Sequence, residues 1–200
     1  MRILRSADYA ALPWKNGRGV ARQIAVFPLD TAYDALDWQV SRPTLERDTP
    51  FSKLAGLDRQ FMLVAGKGVT LRVRSAEDGI AFEQRIDRPL EAFAFRGDWD
   101  VDCTLAGGSV EVLNVMTRRG RAAARIGIRE VTAPTLVRKD ARATLVVYAA
   151  DPLTAYGIWG EADLRADDAV LVDEPGTTEI ALAAGSAPSA RAVLIRLDPT

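Results

Sequence analysis

The chain of 200 residues predicts an all-β protein made of two small antiparallel β-barrels. Three observations carry that prediction. Short apolar runs recur along the whole sequence, separated by Gly, Pro and Asp at about the 8–12-residue spacing of sandwiches and barrels. No amphipathic helix of ordinary length interrupts them. The two halves also present similar pieces in the same order. Ala94-Phe95-Arg96-Gly97 leads through Val101 to Leu105-Ala106-Gly107-Gly108 and the run 110–116. Val172-Asp173-Glu174-Pro175-Gly176 leads through Ile180 to Leu182-Ala183-Ala184-Gly185 and the run 193–197. Upstream, Phe61-Met62-Leu63-Val64 matches Leu145-Val146-Val147-Tyr148, so two units of about 100 residues each are expected to pack as one body.

In chain order, residues 3–5 read as a short strand. Residues 6–11 read as one helical turn, capped by Ser6 and ended by Pro13. Strands follow at 20–27, closed by Pro28, and at 38–45, with a loop at 48–52. A hairpin is expected at 60–74, because two alternating runs flank Ala65-Gly66-Lys67-Gly68. Further strands are expected at 80–86, 90–95, 101–105 and 110–116. The second half adds 126–131, 144–148, 155–159, 169–172, 179–182 and 192–197.

Composition removes whole classes of chemistry. The chain has no histidine and one cysteine, so an intrachain disulfide, a His-based metal site and Ser-His-Asp or Cys-His catalysis are all excluded. Cys103, inside the strand-like stretch Val101-Asp102-Cys103-Thr104-Leu105, reads as a buried inert thiol. The net charge of -1 offers no general attraction to nucleic acid or anionic membrane. No apolar run approaches the roughly 20 residues of a membrane helix. Met1-Arg2-Ile3-Leu4 meets charge at once in Arg5 and Asp8, so a cytoplasmic location is expected.

The candidate site residues lie at strand ends and in one loop. Pro13-Trp14-Lys15-Asn16-Gly17-Arg18-Gly19 places an aromatic, a cation and an amide before a glycine-flanked turn. It reads either as a surface turn with Trp14 as an apolar plug or as a ligand-contacting loop. Arg59 precedes the run 60–64 and shares a face with Phe61 and Leu63. Arg118 and Arg119 follow the strand that contains Asn114 and Met116. Each is either a solvated or ion-paired charge or a carboxylate ligand, and 22 of the 26 basic residues are Arg, which makes the former ordinary. Ser41 is a polar group in an apolar strand, and Phe51-Ser52 forms either a pocket lip or an ordinary loop. Asp167-Asp168 lacks a third oxygen ligand at useful spacing and reads as a polar turn.

Taken together these stretches resemble the HutD/Ves family. The likeness rests on Pro13-Trp14-Lys15-Asn16-Gly17-x-Gly19, on Trp38-x-Val40-Ser41, on Pro50-Phe51-Ser52 with Gly56-x-Asp58-Arg59, and on Asn114-x-Met116-Thr117-Arg118-Arg119-Gly120. It spans roughly the first 120 residues. The resemblance implies a double cupin, with an N-terminal cupin-like barrel over 1–108 and a C-terminal one over 109–200. It also implies no metal or other cofactor, because the cupin metal-ligand region lacks its histidines. The family is associated with histidine utilisation, and formylated glutamate is a suggested ligand. The ligand-binding residues implied are Trp14, Lys15, Asn16, Ser41, Phe51, Ser52, Arg59, Asn114 and Arg118. Departures occur at Arg18, Ala21 and Gln23, where the family commonly carries Gly, Thr and Glu.

The leading functional expectation is therefore a non-catalytic, metal-free sensor of a small anionic metabolite. The alternative is a metal-independent isomerase or lyase acting on a small carboxylated substrate, with Lys15, Tyr9 or Asp58 as acid or base. A protein-interaction module is the third class, and it requires a large exposed apolar patch.

Overall fold

The computed structural model describes residues 1–14, 19–29, 31, 33–176 and 178–200. These residues are all-β apart from one 3-10 turn, Ser6–Asp8. They form two units, Ala10–Arg121 and Met1–Tyr9 together with Ala122–Thr200. The division falls after residue 121 rather than at 108, and the first nine residues join the C-terminal unit. The run 110–118 stays with the first unit because it is the central strand of that unit's larger sheet.

In chain order the strands are β1 (Arg2–Leu4), β2 (Ala10–Pro13), β3 (Val20–Phe27), β4 (Trp38–Leu45), β5 (Thr49–Pro50), β6 (Leu57–Ala65) and β7 (Val69–Ser75). Then come β8 (Ile80–Ile86), β9 (Ala92–Arg96), β10 (Asp100–Leu105), β11 (Val110–Arg118), β12 (Ala122–Val131) and β13 (Thr135–Lys139). The last six are β14 (Thr144–Ala149), β15 (Leu153–Gly157), β16 (Gly160–Leu164), β17 (Ala169–Val172), β18 (Thr178–Ala183) and β19 (Ala190–Pro199).

In the unit Ala10–Arg121, a six-stranded sheet ordered β2-β3-β4-β11-β6-β9 faces a four-stranded sheet ordered β5-β10-β7-β8. Side chains of both sheets share one core, in which Phe61, Leu63 and Val112 meet Leu71, Val73 and Cys103. The other unit repeats the plan with β12-β19-β14-β17, extended by β1, against β13-β18-β15-β16. Strand for strand, β4-β11-β6-β9 corresponds to β12-β19-β14-β17, and β5-β10-β7-β8 to β13-β18-β15-β16. The loose sequence repeat is thus a repeat of topology. Among the described residues the sheets of each unit meet through side chains and not through ladder hydrogen bonds, so each unit is an open cupin-like sandwich and not a closed barrel.

The expected hairpin at 60–74 is not one. β6 pairs with β11 and β9, whereas β7 pairs with β10 and β8. Both strands bury an apolar face in the same core, which places them opposite one another across the sandwich. Gly66 (φ +103) and Gly68 (φ +104) make the crossing, and an added Cβ at Gly68 would lie 2.4 Å from the Ile86 carbonyl oxygen. Residues 6–11 are not a helical turn throughout. The 3-10 turn covers Ser6–Asp8, and Ala10–Pro13 pairs with β3 as a strand. Ser6 acts through its backbone N–H, which donates to Asp168 Oδ1 at 2.8 Å.

Asp168 is the anchor of the N-terminal segment. Its buried carboxylate also accepts from Arg5 Nη1 at 2.8 Å and from the Arg165 N–H at 3.1 Å. Burial alone would raise its pKa, but these donors outweigh it and hold the carboxyl below the ordinary range. Asp167, at φ 73, accepts a hydrogen bond from the Tyr148 hydroxyl. Among the described residues no His, Cys, Asp and Glu cluster is arranged to hold a metal ion.

Candidate ligand-binding site

The inner face of the six-stranded sheet assembles the site by register. Asn114 on β11 lies opposite Ser41 on β4 and Phe61 on β6. One step along, Met116 lies opposite Arg59, which in turn faces Phe95 on β9. Period-2 alternation sends Arg59 inward with Phe61 and Leu63, so its guanidinium sits in the interior with 9% of the residue exposed.

That guanidinium lies against two rings that stack on each other with centroids 6.3 Å apart. Its Cζ lies 5.0 Å from the Phe51 centroid and 4.9 Å from that of Phe95. Its one hydrogen bond among the described residues is long, 3.4 Å from Nη2 to Asn114 Oδ1, and Nε has no partner. No carboxylate among the described residues pairs with it. Burial lowers its pKa from the ordinary guanidinium range to about 10, opposed by the nearby Tyr33. The phenol of Tyr33 is raised by the same burial, opposed by the Arg59 charge.

A cavity of about 50 Å³ opens beside Arg59. Trp14, Ser41, Phe51, Ser52, Arg59 and Asn114, six of the nine residues expected at the site, all line it. Its other walls include Ala21, Tyr33, Pro43, Leu54 and Met116. Trp14 and Leu45 also border a second, outer cavity of about 520 Å³ lined by Arg22, Arg42 and Arg47. The Trp14 N–H donates to the Gly19 carbonyl at 2.9 Å, and an added Cβ at Gly19 would meet the indole at 2.8 Å. The missing side chain at Gly19 therefore leaves room for the indole.

Lys15 and Asn16 lie outside the described residues, as does Arg18. Arg118 is not in the cavity wall. Its Nε donates to the Leu36 carbonyl at 3.0 Å and its Nη2 to that of Tyr33 at 2.7 Å, so it ties a loop and does not face the cavity. Arg119 is held at the surface by Asp58 and Asp98. Of the candidate acids and bases, Asp58 is thus occupied by Arg119, and the Tyr9 hydroxyl donates to the Asp167 carbonyl at 2.7 Å in the other unit's fold. Neither lines the cavity. Ala21, where the resemblance implies Thr, lines it; Gln23, where it implies Glu, accepts from Gln39 Nε2 at 2.8 Å.

The other unit carries an open groove of about 910 Å³ in which several of the charged groups have partners. Asp151 pairs with Arg191, Asp163 accepts from Thr154, and Asp168 pairs with Arg5. Arg59 differs from all of them in being buried without a counter-charge.

The family model described as HutD matches residues 6–188. The chain belongs to the HutD family. It is 32% identical over 126 residues to an uncharacterized 21.2 kDa protein in the hutC 3' region of Pseudomonas putida, an alignment covering 63% of each protein and so less than two thirds of that relative's length. It superposes on HutD from Pseudomonas fluorescens SBW25, solved in a formate condition, with a TM-score of 0.79 at 28% identity, covering 100% of this chain and 98% of that one. A cupin 2 conserved barrel domain protein from Leptotrichia buccalis matches with a TM-score of 0.58 at 10% identity over 92% of this chain and 91% of that one, a likeness of fold alone. No helix among the described residues is long and apolar enough to cross a membrane.

Proposed function

We propose that this HutD protein is a non-catalytic, metal-free binding protein for a small carboxylate, which it holds at Arg59. One observation carries the reading: a guanidinium buried against Phe51 and Phe95 with, among the described residues, Nε unpartnered and no carboxylate paired to it. A buried charge left uncompensated costs several kcal/mol, and an anionic occupant removes that cost while gaining charge-assisted hydrogen bonds. Ser41, Ser52 and Asn114 supply polar groups around an otherwise apolar wall, the composition expected of a small-molecule site.

Size narrows the ligand. At roughly 10–15 Å³ per water, a cavity of about 50 Å³ holds about three to five water-sized groups, enough for a carboxylate or formyl head. The rest of a larger acid extends past Trp14 toward the outer cavity. N-formylglutamate fits that description, a relative from a hutC 3' region supports a link to the hut genes, and a sensing role in histidine utilisation is part of this proposal. Asp58 and Tyr9 do not line the cavity, which disfavours turnover by either of them, and Lys15 lies outside the described residues.

The test is calorimetric titration of purified protein with N-formylglutamate, glutamate, urocanate and formate. Saturable binding of one anion without turnover is expected. Turnover of any of them would favour the isomerase or lyase reading, and no heat from any would overturn the carboxylate assignment.

A further inference from the structure

Tyr33 carries no sequence signal, yet its side chain lines the same cavity as Arg59, and each group's protonation registers the other. Among the described residues the hydrogen bond at Tyr33 is to its backbone carbonyl, which leaves its hydroxyl to an occupant. The segment 33–36 is fixed from two sides. Leu36 is fully buried in a cluster with Val26, Leu54, Leu57 and Met116. Arg118 donates to the carbonyls of both Tyr33 and Leu36, and its own backbone N–H donates to Asp37 O at 2.7 Å. Among the described residues no carboxylate pairs with Arg118, so its fork of donors serves that loop.

Resting on the carboxylate reading above, we infer that Tyr33 is a specificity-determining residue whose hydroxyl donates to the bound carboxylate beside Arg59, and that Arg118 is the positioning residue that holds Tyr33 there. Arg59 supplies charge, which any small anion satisfies. A phenol donor at a fixed angle favours an oxyanion with directional lone pairs over a spherical ion. Burial keeps that phenol protonated and able to donate.

The experiment titrates wild type, Tyr33→Phe, Arg118→Met and the double variant with sodium formate, and with sodium bromide as the spherical control, at constant ionic strength. Loss of a hydrogen bond to a charged group predicts formate binding weakened about tenfold or more by Tyr33→Phe, with bromide affinity unchanged. Because Arg118 acts through Tyr33, Arg118→Met weakens formate binding in the wild-type background and adds less than about twofold in the Tyr33→Phe background. Should Arg118→Met fail to fold, Arg118→Lys makes the same comparison. Wild-type formate affinity in Tyr33→Phe, with binding lost in Arg59→Met, overturns this inference and leaves the carboxylate site standing. Additive losses overturn the positioning role. Unchanged formate binding in Arg59→Met overturns the carboxylate site itself.

Discussion

Replacing Arg59 by Met separates a residue kept for binding from one kept for stability. The fall in its pKa from the ordinary guanidinium range to about 10 corresponds to about 3 kcal/mol against the folded state at neutral pH. Set against this are two cation–π contacts at 5.0 and 4.9 Å, worth about 1 kcal/mol each, and one long hydrogen bond of little value. Met fills a similar volume and keeps the packing on Phe51 and Phe95. The difference favours Arg59→Met by about 1 kcal/mol without ligand, a rise of roughly 2–4 °C in the midpoint of thermal unfolding. The same change abolishes carboxylate binding. In wild type, formate or N-formylglutamate at about 100 times Kd adds roughly 2.7 kcal/mol, an increment the variant lacks. The sign of the pH dependence follows. Because the folded-state pKa is the lower one, the unfolded chain binds the extra proton above about pH 10, so the penalty is full below 10 and fades as pH rises from there toward the ordinary guanidinium range. Scanning calorimetry with and without ligand decides the matter. A well-folded Arg59→Met protein several kcal/mol less stable than wild type would refute the reasoning, because it would mean that Arg59 is already satisfied in place.

Three other outcomes are expected. Asp168→Asn loses charge-assisted bonds from Arg5, Ser6 and Arg165 and costs about 2–4 kcal/mol, read by urea unfolding; the wild-type contribution is present above pH 3.8 and is lost as pH falls below it. Gly68→Ala, at φ +104 with backbone 2.4 Å from the new Cβ, costs about 2–4 kcal/mol, and an unchanged unfolding midpoint would contradict the crossing geometry. Burial, with a smaller push from Asp48, raises the Cys103 thiol to about 12. Native protein at pH 8 should therefore react with Ellman's reagent only at the rate of unfolding, and rapid labelling would show the thiol to be accessible.

Strand composition was the most legible feature. β3, β4, β8 and β17 have the bounds their strand-like runs and flanking Pro, Gly or Asp imply, even where, as in β17, every residue is buried and no alternation shows. β13 and β16 escaped because Arg138, Lys139, Glu161 and Asp163 break up their apolar runs, although Lys139 is buried through three bonds from Nζ to backbone carbonyls. Pairing was less legible than composition. Glycines between two strands mark a reversal, but whether the strands then share a ladder or face each other is decided by the shared core. At the site, period-2 reasoning placed Arg59 inward, and the register that brings Ser41 and Asn114 to it follows from β11 lying between β4 and β6. Tyr33 and Arg118 were not readable in this way. The loop before β4 has no period, and an Arg at a strand end looks the same whether it meets a ligand or a carbonyl.

The most direct measurement is a crystal structure of the protein with N-formylglutamate bound. The account predicts a carboxylate or formyl oxygen within hydrogen-bond distance of Arg59 Nε, which otherwise has no partner. A ligand bound elsewhere, with Arg59 Nε still unpaired against Phe51 and Phe95, would contradict it.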